Sequence, residues 1–534
     1  MERKYITSES FRNIGFDFIF NKVEAITGYG NMIKDEAVPY VCGEEDKVNE
    51  ELSKVDMFIN CDNSDKIARA LMYFKYIYGT LTRVSKNVVL DEIELFEIKN
   101  FMFDLNDLIK TLKYLPKEKL SIYEDLQLKA LPHIYEKLDP ENQKVRSFYI
   151  YDHYSKKLEK IRKDITKTEI KIKEEEKRIK EKLHDDYAVT LNLRNEVTVK
   201  KSDAKKIELL SKEENLRASG ENYLSVIYKL KDNEYIDEFR ERLDKVKRVE
   251  TEEEYRIREE LSQFLREHAD ELFDAAYKVG RIDYLLAKAT YAKKYECIRP
   301  ILSQKFKVDI KNGKNLKLAE TLRKKNKECM PVSLELYKKV TCITGANMGG
   351  KTVSMRMVAQ IVLAASYGMY VPAEYAEICL FNHIHISVGD DQSIEKGLST
   401  FGAEIVNLKF ALETADDRSL ILIDELAGGT NPKEGFAITK ATVEYLKKRN
   451  SLAIFTTHYD NIANDVELQN FQVSGLKLPE NINGISDISQ ISKYMDYTLV
   501  EVKEDNFIPK DAINIAKLAG IPVEVIAKAE ELVK

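Results

Sequence analysis

No apolar run in this chain approaches the roughly 20 residues that a membrane-spanning helix needs, which excludes an integral helical membrane protein. The amino-terminal MERKYITSESFRNIGFD also lacks the apolar centre of a secretory signal. A cytoplasmic protein with no membrane partner is the expectation. C-x-x-C spacing is missing too. The six cysteines, Cys42, Cys61, Cys297, Cys329, Cys342 and Cys379, therefore read as reduced thiols rather than disulfides or zinc ligands. Nor does one sign of charge dominate. Lys and Arg number 84 against 90 Asp and Glu, a balance of −6, which argues against a uniformly basic nucleic-acid binder and leaves room for a local basic patch.

What the chain does have is length and one glycine-rich loop. Its 534 residues, 44% of them hydrophobic, allow several domains with cores large enough to fold without staples. Gly345-Ala346-Asn347-Met348-Gly349-Gly350-Lys351-Thr352 fits G-x-x-x-x-G-K-[ST], the phosphate-binding pattern. The context decides how it is read. Lys339 to Thr344 is a short β-prone run of the kind buried in parallel sheets. Val353 to Tyr367 is apolar and free of Gly and Pro, with Gly368 placed as a helix stop. Strand, loop and helix in this order let the backbone N–H groups of Gly345, Asn347, Gly349 and Gly350 close on phosphate oxygens, aided by the positive end of the helix. Lys351 would reach the β- and γ-phosphates of ATP, and the Thr352 hydroxyl would hold Mg²⁺.

A second strand, Ser419-Leu420-Ile421-Leu422-Ile423, ends in Asp424-Glu425. Paired with the loop, Asp424 belongs on the Mg²⁺ shell and Glu425 polarises the water that attacks the γ-phosphate. The following Leu426 to Pro432, with two glycines, is flexible enough for a neighbouring chain to approach. A third strand, Leu452 to Phe455, leads to Thr456-Thr457-His458-Tyr459. His458 at the carboxyl end of such a strand is either a γ-phosphate sensor or a hydrogen-bonded structural histidine. Val388 to Phe401, containing Gln392, Ser399 and Thr400, reads from its composition as a polar surface loop before a helix over Ala403 to Ala415.

Upstream, residues 1 to about 150 read as mostly helical, for example Ser64 to Leu81 and Leu95 to Leu112. After the turn Asp139-Pro140-Glu141-Asn142 the composition shifts. Tyr154 to His184 is dense in Lys, Arg and Glu, with Leu158, Ile161, Ile165, Ile172 and Ile179 spaced by threes, fours and sevens. Two readings stay open for this helix: a solvated helix packed on a single partner, or an arm gripping nucleic acid. Tyr187 to Lys200 alternates apolar and polar residues and is expected to form strands about a turn at Arg194-Asn195-Glu196. A second charged helix spans Tyr235 to His268, so the whole reads as an arm with a strand-containing tip. Lys200, Lys201, Lys205 and Lys206 near that tip are candidates for phosphate contact. A further helix covers Asp270 to Lys294, and residues 301 to 338 look like a polar, Lys-rich connection.

Taken together, T-G-A-N-M-G-G-K-T, V-P-A-E-Y-A, V-G-D-D-Q-S-I-E-K-G-L-S-T-F, I-D-E-L-A-G-G-T-N-P-K-E-G and T-T-H-Y resemble, in order and spacing, the ATPase domain of the MutS family over about residues 330 to 534. A looser likeness, in D-P-E-N, L-E-K-I-R and L-R-N-E-V-T-V-K, extends to the lever and clamp. The Q-S-I-E form of the loop is similar to the branch that usually carries a terminal Smr nuclease. The resemblance implies an α/β P-loop NTPase of ABC type at the carboxyl end, preceded by a mainly α-helical lever and clamp region. It also implies a division into a helical core and lever over residues 1–153, a clamp arm over 154–268, a return helix and connector over 269–310, and an ATPase domain with dimerisation helices over 311–534. By the same carry-over the ATPase domains form a homodimer. Ser399 and Thr400 would then complete the partner's ATP site in trans, and Gln392 and His458 would sense the nucleotide. Closure on ATP would move the arms.

The departures bear on what the chain is expected to do. Lever-type sequence begins almost at residue 1 and the chain stops at Lys534, so neither mismatch reading nor DNA cleavage is expected. Phe239-Arg240-Glu241 lies in a charged helix and reads as a chance copy of the mismatch wedge. Ala346 stands where the family has proline, and Lys510-Asp511-Ala512 where it has serine-tyrosine-glycine. Two functions remain, an ATP-driven DNA clamp and an ATP-driven reactivating factor for a protein client such as an adenosylcobalamin-dependent aminomutase.

Overall fold

A computed structural model describes residues 5–345, 350–387, 400–427, 430–457, 462, 467–476, 495–502, 511–518 and 520–533. The chain opens with α1 (Ser8–Ile14), α2 (Phe16–Asn21), α3 (Gly28–Glu36), α4 (Glu45–Ile59) and α5 (Ser64–Leu71). Next come α6 (Tyr78–Ser85), α7 (Glu92–Leu112), α8 (Lys117–Leu120) and α9 (Pro132–Leu138). The charged segment forms α10 (Lys156–Tyr187), β1 (Glu196–Lys200), α11 (Ala204–Ser211), β2 (Leu216–Glu221), β3 (Ser225–Leu230), α12 (Glu234–Glu267) and α13 (Ala269–Lys294). Then follow β4 (Ile301–Leu302), β5 (Val308–Gly313), α14 (Leu316–Arg323), β6 (Val332–Leu336), β7 (Val340–Thr344), α15 (Lys351–Ser366), β8 (Tyr375–Ile378) and β9 (His383–Ser387). The carboxyl-terminal part holds α16 (Thr400–Glu413), β10 (Ser419–Asp424), α17 (Pro432–Lys447), β11 (Ser451–Thr456), β12 (Gln469–Leu476) and β13 (Met495–Glu501), then two helices at Asp511–Leu518 and Val523–Val533. Contacts divide these elements into two compact units.

The first unit comprises residues 1–73, 110–127 and 277–534. Its main sheet has the order β13-β12-β7-β11-β10-β9, parallel throughout except for the antiparallel pair β12–β13. Parallel strands need crossover helices and are covered on both faces, which explains their unbroken apolar character. Leu420, Leu422, Leu452 and Ile454 face one core, with α15 and the amino-terminal helices. Their alternates Ile421, Ile423, Ala453 and Phe455 face the other, with Leu408 and Ala411 of α16 and Val443 and Leu446 of α17.

The first core also includes a smaller sheet, β4-β8-β5-β6. The segment 301–338 expected as a connection is therefore structured. Val308 and Ile310 of β5, and Val332, Leu334 and Leu336 of β6, point inward at period two, while the lysines between them stay outside. Residues 5–23 belong to the same core: Ile384 N–H donates to the Tyr5 carbonyl at 2.9 Å, and Gln360 Nε2 of α15 donates to the Ile14 carbonyl at 2.8 Å. The unit thus draws in amino-terminal residues that the sequence reading grouped with the lever.

The second unit comprises residues 74–109 and 128–276. Here α10 and α12 run side by side in opposite directions, tied by Arg162 to Glu250 and Glu254, Lys247 to Glu169, and Arg240 to Glu176. Leu158, Ile172, Ile179 and Leu183 bury on one helix and Ile236, Ile257, Leu261 and Leu265 on the other. The stripe thus packs on α12 and, from Ile172 to Leu183, also in the core of the tip. The tip is the sheet β1-β3-β2 with α11 over it. Only Glu196–Lys200 of the expected strand region is extended. Residues 188–195 form a loop with Ala188 and Asn195 at positive φ, because the side chain of Asn192 takes up the N–H groups of Arg194 and Glu196. The expected helix over Ser64 to Leu81 is two helices, α5 and α6, broken at 72–77.

Candidate nucleotide site

The carboxyl ends of β7, β11 and β10 lie side by side, the position where open parallel sheets bind ligands. β7 runs into the glycine loop and α15 begins directly after Gly350. Gly345 has φ 125° and Gly350 φ 84°, conformations that residues with a Cβ avoid. A Cβ on Gly350 would also stand 3.2 Å from the Tyr497 ring, and one on Gly345 3.2 Å from Val473. Glycine is needed at both positions for backbone geometry and for space.

Lys351, the first residue of α15, is 2% exposed. Its Nζ donates to the Gly345 carbonyl at 2.7 Å and stands 3.4 Å from Glu425 Oε1. Burial pushes the amine below its ordinary range, while Glu425 and Asp424 pull it back up. Thr352 Oγ1 donates to Asp424 Oδ2 at 2.6 Å, so a hydroxyl and a carboxylate oxygen meet at the foot of the loop. These are hard oxygen donors of the kind that Mg²⁺ takes beside phosphate. A buried ammonium at a helix N-terminus is the matching provision for the phosphates. Both groups fit the residues present.

Glu425 follows the end of β10 with φ 49°, and Ala427 has φ 59°. Left-handed backbone at non-glycine residues costs ~1–3 kcal/mol and is found where surrounding contacts impose it. Two such contacts are in place. The Glu425 N–H donates to the backbone carbonyl and the hydroxyl of Thr456 at 3.2 and 3.0 Å, and the Ala427 N–H donates to Glu404 Oε2 at 3.3 Å. Thr456 Oγ1 itself donates to Asp424 Oδ1. One hydroxyl on β11 therefore fixes both acidic residues. Burial raises the Glu404 carboxyl, with the Ala427 N–H opposing.

Of the residues proposed from sequence, Gly345, Gly350, Lys351, Thr352, Asp424 and Glu425 come together here. Asn347, Gly349, Gln392, Ser399 and His458 lie outside the described residues. Thr400 opens α16, and its side chain is likewise outside the described part. Sequence reasoning gave no role to Thr456, Glu404 or Tyr497. Thr456 carried at most a weak signal, as a polar residue closing a mostly apolar strand. Glu404 and Tyr497 carried none, since only the fold brings them to the site.

The same part of the chain is matched by known proteins. Residues 341–534 match the family MutS domain V. A protein named Endonuclease MutS2 from Halothermothrix orenii is 31% identical over 406 residues, 72% of this chain and 48% of that protein. A namesake from Caldicellulosiruptor saccharolyticus is 36% identical over 220 residues, 41% of this chain and 27% of its own. One from Staphylococcus epidermidis is 27% identical over 416 residues, 76% of this chain and 50% of that protein. The chain thus spans half or less of the length of these curated relatives. Among the described residues no helix is long and apolar enough to cross a membrane. Residues 341–534 are thus similar to MutS domain V, and the family match and these relatives point to an ATPase.

Proposed function

We propose that the chain works as an ATP-hydrolysing homodimer that holds DNA between its arms. The observation that carries this reading is the convergence of Lys351, Thr352, Asp424 and Glu425 from one strand end and a helix start within hydrogen-bonding reach. Lys351 binds the β- and γ-phosphates, turning from the Gly345 carbonyl to do so. Thr352 and Asp424 hold Mg²⁺, which supplies charge neutralisation on the phosphates when bound. Glu425, held in place by Thr456, accepts the proton of the attacking water. Gln392 and His458 sense the nucleotide, and Ser399 and Thr400 of each protomer complete the site of its partner.

DNA enters on three supports. The matched relatives are named for an endonuclease, the arm is long and charged, and Lys200, Lys201 and Lys205 at its tip are exposed. Lys201 also pairs with Glu221 at 3.4 Å. Such contacts act on phosphates without reading sequence, so retention should fall steeply as salt rises. The test is ATP turnover and DNA retention by the wild type and Glu425→Ala. The variant should lose ~10²- to 10⁴-fold in hydrolysis while still binding ATP and forming a dimer with ATP and Mg²⁺. Unchanged hydrolysis refutes the role of Glu425, and a monomer at saturating nucleotide refutes the composite site. If the trapped dimer retains a protein but no DNA at low salt, the protein-client reading takes its place. The overall charge of −6 is the feature that favours that second reading.

A further inference from the structure

Two of the seven histidines in the chain meet one carboxylate far from the nucleotide loop in sequence, within the second unit. His133 lies in the first turn of α9, directly after Pro132. His268 caps the end of α12 and precedes α13, and Glu271 lies in the first turn of α13. His268 Nδ1 is 2.7 Å from Glu271 Oε1, and His133 Nε2 is 3.4 Å from Glu271 Oε2. The two imidazole rings are 4.6 Å apart. One ligand atom from each of the three residues falls within 4.8 Å of the others, the one such group among the described residues.

We propose that His133, His268 and Glu271 form a site for a divalent transition ion of the zinc type. Two imidazole nitrogens and one carboxylate are a three-ligand set that such ions take, with a fourth position left to solvent or another ligand. Zinc–ligand bonds of ~2.0–2.2 Å in a tetrahedron put neighbouring ligand atoms ~3.4 Å apart. The His133–Glu271 separation matches that edge at Oε2, while His268 faces the other carboxylate oxygen, Oε1. The His268–Glu271 pair needs to open by less than ~1 Å, exchanging a shared proton for the ion. Nitrogen donors separate this site from the hard oxygen site at Thr352 and Asp424, so Mg²⁺ is a poor occupant here.

The supports are rigid where a site needs them to be. The His268 N–H donates to the Leu265 carbonyl at 3.2 Å, and its own carbonyl accepts the Leu272 N–H at 3.3 Å. Its ring packs 4.6 Å from Phe264. The side chains remain 28% to 43% exposed, so an ion enters from solvent. An occupied site would tie α9 to the bend between α12 and α13 and fix the angle of that bend.

The test uses the full chain, stripped with chelator and held without nucleotide in millimolar Mg²⁺. Zn²⁺ is titrated calorimetrically and Co²⁺ by visible absorption. We expect one equivalent of high-affinity ion, a tetrahedral Co²⁺ spectrum without a thiolate charge-transfer band, and a melting temperature that rises with Zn²⁺ concentration. His133→Ala and Glu271→Gln, both at partly exposed positions, should fold as the wild type does and weaken binding by ~100-fold or more, removing the thermal shift. Equal binding by wild type and variants overturns the site, and so does a thiolate band, which would assign the ion to cysteines.

Discussion

Glu51 in the nucleotide-binding unit and Glu250 in the arm each accept an arginine, at 2.6 Å from Arg281 and at 3.0 Å from Arg162. The first pair is 4% and 12% exposed, the second 23% and 27%. Around Glu51 the charges form a closed network. Lys288 Nζ donates to Glu51 Oε1 at 2.7 Å and to the Tyr367 carbonyl at 2.8 Å, while Asp125 bridges Arg281 and Lys54. Tyr367 is the C-cap of α15, and Gly368 after it has φ 61°, with a Cβ there only 2.6 Å from Glu51 Cγ. One end of α15 thus carries Lys351 and the other is gripped by a buried ammonium. In the arm, Arg162 gathers Asp152, Glu250, Glu254 and the Ile150 carbonyl in a more exposed setting. Around α15 the charges are buried, and the second unit buries a pair of its own, Lys99 with Asp139, whereas the pairs that cross from α10 to α12 at Arg162, Lys247 and Arg240 stay partly exposed beside an apolar seam.

Breaking the buried network should therefore be the costliest change. Lys288→Ala leaves Glu51 short of one cation and the Tyr367 carbonyl without that donor, and such truncations cost ~3–5 kcal/mol. Urea unfolding followed by hydrogen exchange in α15 and α13 should show the loss in this unit. A loss below ~1 kcal/mol would mean that the network does not define the unit, and the contrast between the regions would fail.

The same network predicts an acid response. Burial alone would raise the Glu51 carboxyl, but Lys288 and Arg281 outweigh it and hold it at about 2. A folded-state value depressed below the unfolded ~4.3 contributes stability that is complete above the unfolded value and is lost as pH falls through the folded one. The stability gap between wild type and Glu51→Gln should be widest near pH 7 and shrink between about pH 4.5 and 2. Urea midpoints at pH 7, 4 and 3 check this, and a gap independent of pH would remove the ion pair from the explanation.

What could be read from the sequence divides along similar physical lines. β7, β10 and β11 were visible because strands buried on both faces are continuously apolar, and the glycine loop between β7 and α15 marked the candidate site. β5 and β6 were not, although V-D-I-K-N-G and V-S-L-E-L alternate as half-buried strands do. Their outward residues matched the lysine-rich surroundings and masked the period. α5 and α6 merged into one helix in the sequence reading, since Tyr73-Phe74-Lys75-Tyr76 has no Gly or Pro to mark the break. In the site, residue types announced Lys351, Thr352, Asp424 and Glu425. The Thr456 hydroxyl gains its role only from the strand order that sets β11 between β7 and β10, and that order is tertiary information.

Thr456 gives a smaller, sharper test of the nucleotide unit. Thr456→Val keeps the shape and removes the hydroxyl that donates to Asp424 and accepts from Glu425. Losing one charge-assisted hydrogen bond is worth ~1.5–3 kcal/mol, so kcat for ATP hydrolysis should fall roughly 10-fold or more. KM should stay nearly constant, since Lys351 and the glycine loop are untouched. A rise in KM with kcat unchanged would place Thr456 in nucleotide binding instead.

The least effect is expected on the arm. Lys247 and Glu169 face each other across α12 and α10 at 3.3 Å, 49% and 43% exposed. Solvent at that exposure screens the attraction, and holding two long side chains together costs entropy. Lys247→Gln should change the stability of α10 and α12, measured by their hydrogen exchange, by no more than ~0.5 kcal/mol, and the difference should vanish at high salt. Leu261 and Leu265 are fully buried farther along α12, so truncating either to Ala should cost ~2–5 kcal/mol at any salt concentration. If instead Lys247→Gln loosened the arm as much as Leu261→Ala does, exposed charge would be setting geometry there too, and the two regions would differ only in where their charges lie.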